Sequence, residues 1–215
     1  MRWIALILLV GLGSLWSISK STTFQFFGEA IASVETNEPI VALTFDDGPS
    51  RKHTQTVLDI LASHDATATF FLTGHEAEQN PELVTAIIEA GHGLGNHSYS
   101  HKRMILRSPA NLRAELDQTD AILRASGYTD EIHFRPPYFQ KLFSLPWVLR
   151  DQNRPSIMAD VTPYDQDVLP EDFAAEVLDT VQPGSIVVMH VMYDSRASER
   201  EVLPIVLEGL KAKGL

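Results

Sequence analysis

The sequence predicts an α/β protein whose strands form a parallel sheet or a (β/α) barrel. Short apolar runs rich in β-branched and aromatic residues alternate along the chain with stretches that carry helix-start and helix-stop signals. In addition, polar clusters follow several of the apolar runs directly, which is where α/β proteins build their active sites. The 215 residues, 44% of them hydrophobic, suffice for one packed domain.

The predicted elements follow one another in order. Strands are predicted at residues 40–45, 67–72, 93–96, 133–134, 156–161 and 185–189. Helices are predicted from Ser50 to about His64, from Pro81 to just before Gly91, at 109–126, at 170–180 and from about Pro204. Pro81 and Gly91 mark the two ends of one helix, because proline is common at the first position of a helix and glycine just after the last.

Residues 1–20 are predicted to be a signal peptide or an N-terminal membrane anchor. Arg2 precedes an almost uninterrupted apolar run, and Ile18 extends it to residues 4–18, close to the roughly 20 residues of a spanning helix. Cleavage and anchoring both stay open at this point. We expect an exported protein that is periplasmic, secreted or anchored to the outer face of the cytoplasmic membrane. Residues 21–38 are expected to be a connector, and residues 39–215 the functional domain.

The charge of the chain excludes one class of partner. A formal net charge of −11 and a pI near 5.1 argue against nucleic acid. Binding to a phosphate backbone depends on clustered lysine and arginine side chains, which this sequence lacks. The chain also has no cysteine, so a metal ion would have to be held by histidine, aspartate or glutamate.

The stretch LTFDDGPS places two aspartates, Asp46 and Asp47, at the end of a predicted strand and just before a Gly-Pro turn. Aspartates are common at such points, because their side chains bond to nearby backbone amides. The pair therefore indicates chemistry only if other reactive side chains lie at comparable strand ends.

His97 and His101 are such side chains. Their four-residue spacing lets both imidazoles face one metal ion if the segment forms a helical turn. One of the two aspartates can supply the third ligand, which gives a His2Asp site with open positions for water and substrate. The other aspartate is then free to act as a base.

Four motifs in this order resemble the polysaccharide deacetylase (NodB-homology) family of carbohydrate esterases. They are T-F-D-D-G-P, H-S-x-x-H about fifty residues later, R-P-P-Y, and a late strand that ends in histidine. The resemblance covers roughly residue 39 to the C-terminus. It implies an irregular (β/α) barrel of about seven strands. Because family members usually continue beyond the point where this sequence stops, a barrel that lacks its last strand is one expectation, and a truncated chain is the other.

The resemblance also assigns the metal centre. It implies that Asp46 is the general base and that Asp47, His97 and His101 bind a divalent metal ion, usually zinc. The metal would polarise the acetyl carbonyl and activate a water molecule, from which Asp46 takes a proton. Arg135 resembles the arginine that orients the base and keeps it ionised.

The remaining implied roles concern the acyl and leaving groups. The backbone N–H of Tyr138 would hold the oxyanion together with the metal, and His190 would protonate the leaving amine. Asp165 resembles the carboxylate that pairs with His190, and Asp160 is the alternative partner. Contacts to substrate are expected from Pro137, Tyr138 and Val188.

The resemblance implies a metal-dependent hydrolase that removes acetyl groups from N-acetylated sugars of an envelope polysaccharide, such as peptidoglycan or a chitin-like glycan. The expected partner is therefore an N-acetylated polysaccharide or oligosaccharide. Two alternatives remain open: an O-acetyl esterase acting on a polysaccharide such as xylan, and a non-catalytic protein that binds glycan or metal.

Several positions depart from the family pattern. The glycine that usually follows R-P-P-Y is Phe139 here, and Val188 stands where a leucine usually helps to form the acetyl-methyl pocket. Ala159 and Gln166 occupy positions where tryptophans usually wall the site. We therefore expect a groove whose shape differs from that of other members.

Overall fold

The computed structural model describes residues 2–163 and 170–215. Its seven strands are β1 (Ala30–Ile31), β2 (Ala42–Asp46), β3 (Thr69–Leu72), β4 (Gly93–Asn96), β5 (His133–Phe134), β6 (Ser156–Ile157) and β7 (Ile186–Met189). The helices are α1 (Arg2–Ser19), α2 (Thr54–Ser63), α3 (Gly74–Gln79), α4 (Pro81–Glu89), α5 (Pro109–Ala125), α6 (Ser144–Asp151), α7 (Pro170–Thr180) and α8 (Ala197–Lys213).

The strands form one parallel sheet in the order β1-β6-β5-β4-β3-β2-β7. The sheet curls into a half-barrel, and short bridges reach its β7 edge from the segments that follow β1 and β6: Ser33 pairs with Ser185, and Val161 with Val187. The fold is therefore of the irregular (β/α)-barrel type, with about seven strands, that the family resemblance implies, and its sheet is a half-barrel.

Successive side chains of β2 point to opposite faces of the sheet, and toward the end of this strand the apolar ones point outward and the polar ones inward. Phe45 points to the outer face, where it belongs to the main apolar core together with Phe70, Leu94 and residues of the surrounding helices. Thr44 and Asp46 are two residues apart and so share the inner face. Both are nearly completely buried, which places polar chemistry inside the curled sheet.

The segment predicted to be a connector contributes to the sheet. Ala30 and Ile31 form β1, which pairs in parallel with Ser156 and Ile157 of β6. The boundary predicted at residue 39 therefore falls after the first strand. A strand of two residues is too short to show the alternation from which strands are predicted.

Other element boundaries also differ from the prediction. The helix predicted from Ser50 begins at Thr54, whose hydroxyl instead accepts a hydrogen bond from the Ser50 N–H at 2.8 Å. The last helix begins at Ala197, so Pro204 lies inside it and removes one backbone hydrogen bond there. The strand predicted at 156–161 is only two residues long, and α3 and α6 were not predicted.

Helix α1 covers most of the predicted signal or anchor. Its apolar side chains are largely exposed, including Trp3, Leu8 and Trp16. Among residues 2–163 and 170–215, no helix has the length and apolar character needed to cross a membrane.

The chain just after α1 is bound to the barrel through Lys141. The Lys141 side chain is 1% exposed, and its ammonium donates a hydrogen bond to the Ser21 carbonyl. Its backbone N–H donates to the Ser19 carbonyl at 2.9 Å. Burial lowers the pKa of Lys141 from its usual 10.5 to about 8.

This pKa predicts how stability depends on pH. Between pH 8 and 10.5 the unfolded chain binds the Lys141 proton more tightly than the folded chain, so the free energy of unfolding contributed by this group rises with pH. The melting temperature of the wild type should therefore rise relative to that of Lys141→Met as pH increases from 7 to 10. The difference in melting temperature between the two proteins should change by several degrees, since ~1 kcal/mol corresponds to ~2–4 °C in a chain of this size. Thermal melts of both proteins from pH 7 to 10 test this prediction, and a difference that stays constant would contradict it.

Candidate active site

The predicted site residues lie at the C-terminal ends of neighbouring strands. Asp46 ends β2, His97 follows β4, Arg135 follows β5 and His190 follows β7. Because all strands are parallel, these ends meet at one edge of the curled sheet. There Asp46, His97 and His190 line a cavity of about 590 Å³, and Arg135 is buried behind Asp46.

Three side chains converge as a metal site would require. One ligand atom from each of Asp47, His97 and His101 lies within 4.8 Å of the others. The Asp47 Oδ1 atom is 3.1 Å from His101 Nε2 and 3.8 Å from His97 Nε2. This oxygen is buried and has no hydrogen-bond partner, although a buried carboxylate oxygen normally needs one. A divalent cation would satisfy it, so these residues fit a metal ion.

The electrostatics of the three residues favour the same conclusion. Burial, and next the negative charge of Asp46, raise the pKa of Asp47 to about 7. Burial lowers the pKa of His97 to about 3 and also lowers that of His101. Both imidazoles are therefore neutral at pH 7, the form that binds metal. The charge of Arg196 and a hydrogen bond from Tyr193 do not offset burial and the charge of Asp46, so a cation beside Asp47 would favour its ionised form.

The orientation of His97 is fixed by its second ring nitrogen. Its Nδ1 lies 2.8 Å from the Arg135 carbonyl oxygen, to which it can donate a hydrogen bond. The lone pair of Nε2 then points toward Asp47 and His101. Arg135 thus orients a candidate metal ligand through its backbone.

The loop that carries both histidines is not a helical turn, so that part of the prediction is wrong. Side chains hold it instead. The Ser98 N–H donates to Asn96 Oδ1 at 2.8 Å, and the His101 N–H donates to Ser98 Oγ at 3.1 Å. Ser100 donates from both its N–H and its hydroxyl to the Glu115 carboxylate at 2.8 and 2.7 Å. These bonds replace the backbone hydrogen bonds of a helix.

Five non-glycine residues at the site have left-handed backbone conformations. Their φ angles are 70° at Asp47, 64° at Ser98, 52° at His101, 59° at Tyr138 and 54° at Phe139. Each such residue costs ~1–3 kcal/mol unless the surroundings hold it. This strain directs the metal ligands and the R-P-P-Y turn into the cavity. It also explains why glycine suits position 139 and why Phe139 is an unusual choice.

Asp46 is held by a fully buried arginine. Arg135 Nη1 donates to Asp46 Oδ1 at 2.6 Å and to Thr44 Oγ1 at 2.8 Å. Burial alone would raise the pKa of Asp46, but the charge of Arg135, together with its hydrogen bond, leads the effects that outweigh burial and lower it. Asp46 is therefore ionised and able to accept a proton.

The predicted general acid, His190, lines the same cavity. Its backbone N–H donates to Glu199 Oε2 at 2.5 Å. Asp165, its predicted partner, lies outside the described residues. Both oxygens of the alternative, Asp160, accept hydrogen bonds at the start of β7, from the Ser185 hydroxyl at 2.9 Å and the Ile186 N–H at 2.8 Å.

The predicted substrate contacts divide into two groups. Tyr138 and Val188 line the cavity. Pro137 is buried and does not contribute to this lining in the part of the chain that the structure describes. The Tyr138 ring packs against His101 in a tilted arrangement, with ring centroids 4.9 Å apart.

Several further residues belong to the site but were not predicted, and four of them contact or flank the predicted groups. They are Thr44, which bonds Arg135, Arg103 and Tyr193, which line the cavity, and Glu199, which holds His190. Thr44 could have been found, because it lies two residues before Asp46 on the same face of a predicted strand. The other three lie in loops or at a helix start, where the sequence carries no comparable signal.

Comparisons with known proteins agree with this geometry. The family model described as polysaccharide deacetylase matches residues 33–151, more than half of the chain. A peptidoglycan-N-acetylglucosamine deacetylase of Bacillus cereus is 38% identical over 157 residues. That alignment covers 72% of this chain and 56% of the relative, so the chain spans little more than half the relative's length.

Solved structures show the same fold. A peptidoglycan N-acetylglucosamine deacetylase in complex with 4-naphthalen-1-yl-N-oxidanyl-benzamide has a TM-score of 0.79 at 34% identity, covering 85% of this chain and 86% of that one. A CE4 family pseudoenzyme from Bacillus anthracis has a TM-score of 0.76 at 28% identity, covering 86% of this chain and 64% of that one. The motifs, the barrel and the matching family model together show that this chain belongs to the polysaccharide deacetylase family.

Proposed function

We propose that this protein is a metal-dependent N-deacetylase that removes acetyl groups from N-acetylated sugars of an envelope polysaccharide, peptidoglycan or a chitin-like glycan. The observation that carries the proposal is the opposite treatment of two adjacent carboxylates. Asp46 is paired with Arg135 at 2.6 Å, whereas Asp47 Oδ1 faces two neutral imidazoles and has no hydrogen-bond partner. One carboxylate is thus prepared as a base and the other as a metal ligand. The names of the relatives support the choice of substrate.

The metal is proposed to be zinc. Two imidazoles and one carboxylate form a ligand set that zinc uses in catalytic sites. When bound, the ion would polarise the acetyl carbonyl and activate water. The groups that hold it here are Asp47, His97 and His101.

The other side chains account for the movement of protons. Asp46 is positioned to take a proton from water as the water oxygen bonds to the acetyl carbon. The Tyr138 N–H is proposed to stabilise the negative charge that develops on the carbonyl oxygen. His190 is proposed to protonate the sugar nitrogen as the C–N bond breaks, so that acetate and a free amine leave. An amide needs this step because an unprotonated amide anion is a poor leaving group.

A non-catalytic role has less support. The solved relatives include a pseudoenzyme, so the fold alone does not establish turnover. In this chain, however, Asp46, Asp47, His97, His101 and His190 all line one cavity, and Arg135 bonds to Asp46. A binding protein would have no need for a base and an acid beside the metal ligands.

The division of labour between the two aspartates can be tested directly. Asp47→Ala, His97→Ala and His101→Ala should each lose tightly bound zinc, because each removes a ligand. Asp46→Asn should keep zinc in a one-to-one ratio but lose acetate release by a factor of ~10² or more, because it removes the base. Atomic emission and an acetate assay on the same samples measure both effects. An Asp46→Asn protein without zinc would show that the roles are merged or exchanged.

We further propose that residues 1–20 direct export of the protein. This segment is then either cleaved as a signal peptide or kept as a membrane anchor through residues 4–18. The apolar, exposed character of α1 supports this, because a stable surface of that kind is costly in water. A reporter that is active only outside the cytoplasm, fused after residue 40, should be active with residues 1–20 and inactive without them. Equal activity of both fusions would contradict the proposal.

A further inference from the structure

The mouth of the active-site cavity is basic although the protein is acidic. The chain carries 28 acidic and 17 basic residues. Yet the cavity is lined by Lys20, Arg103 and Arg196, and its acidic lining residues within 2–163 and 170–215 are Asp46 and Asp47. Both aspartates are assigned to the chemistry. The positive charge at the mouth therefore calls for a separate explanation.

The three basic residues are not equivalent. Arg196 is nearly buried, and its Nη1 lies 3.0 Å from Glu199 Oε1, so its charge is matched within the protein. The Lys20 ammonium lies 4.7 Å from the centroid of the Trp16 ring. Arg103 is exposed and has no carboxylate partner among the residues that the structure describes.

Arg103 is nevertheless held in place. Its Nε donates to Gln140 Oε1 at 3.0 Å, and its guanidinium lies 4.7 Å from the centroid of the Tyr138 ring. Gln140 is itself buried. Within the described chain the two terminal nitrogens make no hydrogen bond, so the paired donors of the guanidinium are available to a ligand. A fixed arginine loses little conformational entropy when it binds.

The position of Arg103 relates it to the reaction. The Tyr138 ring contacts both groups: its centroid lies 4.7 Å from the Arg103 guanidinium and 4.9 Å from the centroid of the His101 ring. Arg103 is thus linked through one side chain to a proposed metal ligand. A sugar that presents its acetamido group to the metal would bring its own substituents, or those of the next sugar, close to this guanidinium.

We infer that Arg103 binds a carboxylate carried by the glycan at or next to the acetylated sugar, so the preferred substrate is an anionic N-acetylated glycan. A planar guanidinium with two free donors matches a carboxylate in a bidentate arrangement. The inference rests on the proposed deacetylase function and narrows its substrate class. Two sugars can supply this carboxylate: muramic acid through its lactyl ether, and a hexuronic acid.

The test compares oligosaccharides of equal length with the zinc-loaded full chain. One is the neutral N-acetylglucosamine tetramer, one alternates N-acetylglucosamine with N-acetylmuramic acid, and one alternates it with glucuronic acid. The methyl esters of the two acidic compounds remove the charge and keep the shape. The wild type should show kcat/KM about 10-fold or more higher for a free carboxylate than for its ester, as expected for a charge-assisted hydrogen bond. Comparing this ratio of kcat/KM between the muramic acid and glucuronic acid compounds shows which acidic sugar Arg103 binds.

The matched variants are Arg103→Gln and Lys102→Gln, which remove the same charge from adjacent positions. Lys102 is exposed and does not line the cavity. Arg103→Gln should reduce the ratio of free acid to ester to near one, mainly through KM, while Lys102→Gln keeps the wild-type ratio. Raising the ionic strength should reduce the wild-type ratio as well.

Three results would overturn the inference: a wild-type ratio near one, an Arg103→Gln ratio equal to that of the wild type, or an equal loss of ratio in Lys102→Gln. Calorimetric binding of the same oligosaccharides separates this inference from the proposed function. If no glycan released acetate, the deacetylase proposal would fail. Tighter binding of the free acid than of its ester, lost in Arg103→Gln, would still support a carboxylate site, and equal binding would reject it.

Discussion

The site depends on one buried ion pair, that of Arg135 with Asp46. The guanidinium is fully buried, lies 4.1 Å from the centroid of the Phe71 ring, and donates to Asp46, Thr44 and the Met158 carbonyl. The Arg135 carbonyl oxygen also faces His97 Nδ1 at 2.8 Å. One residue therefore fixes the proposed base and a proposed metal ligand. Removing one partner of such a buried pair costs ~3–5 kcal/mol, and a change at Arg135 itself would disturb both the base and the ligand.

The surrounding fold is arranged to keep this pair in place. A side chain on Gly95 would approach the Phe71 ring to 2.3 Å, so glycine is required beneath the ring that supports Arg135. With Arg135 committed to Asp46, the neighbouring Asp47 is left with a raised pKa and an unpaired oxygen. A cation shared with the two histidines would resolve this conflict. The electrostatic difference between the two adjacent aspartates thus follows from burial of both and from the pairing of Arg135 with Asp46.

Sequence reasoning recovered the parts of the site that depend on local pattern and motif. The ends of β2 and β7 were predicted because apolar runs stop there, and those of β4 and β5 from their places in the alternation of strands and helices. The resemblance supplied the roles. Prediction from the sequence failed where contacts between residues far apart in the chain determine the structure. The loop after Asn96 is shaped by Glu115 of α5, and Arg103 acquires its setting only from Gln140 and Tyr138. Strand β1 likewise exists because it pairs with β6 at the edge of the sheet. Two residues are too few to show the alternation from which a strand is predicted.

In the proposed reaction the metal ion serves turnover rather than folding alone. The most direct measurement is acetate release from N-acetylated and O-acetylated glycans as zinc is titrated into metal-free wild-type protein, with bound zinc measured in the same samples. We expect no release without metal and release from the N-acetylated glycan that rises in proportion to bound zinc, reaching its maximum at one ion per chain. Full activity without metal, or one bound zinc per folded chain with no acetate released, would contradict it.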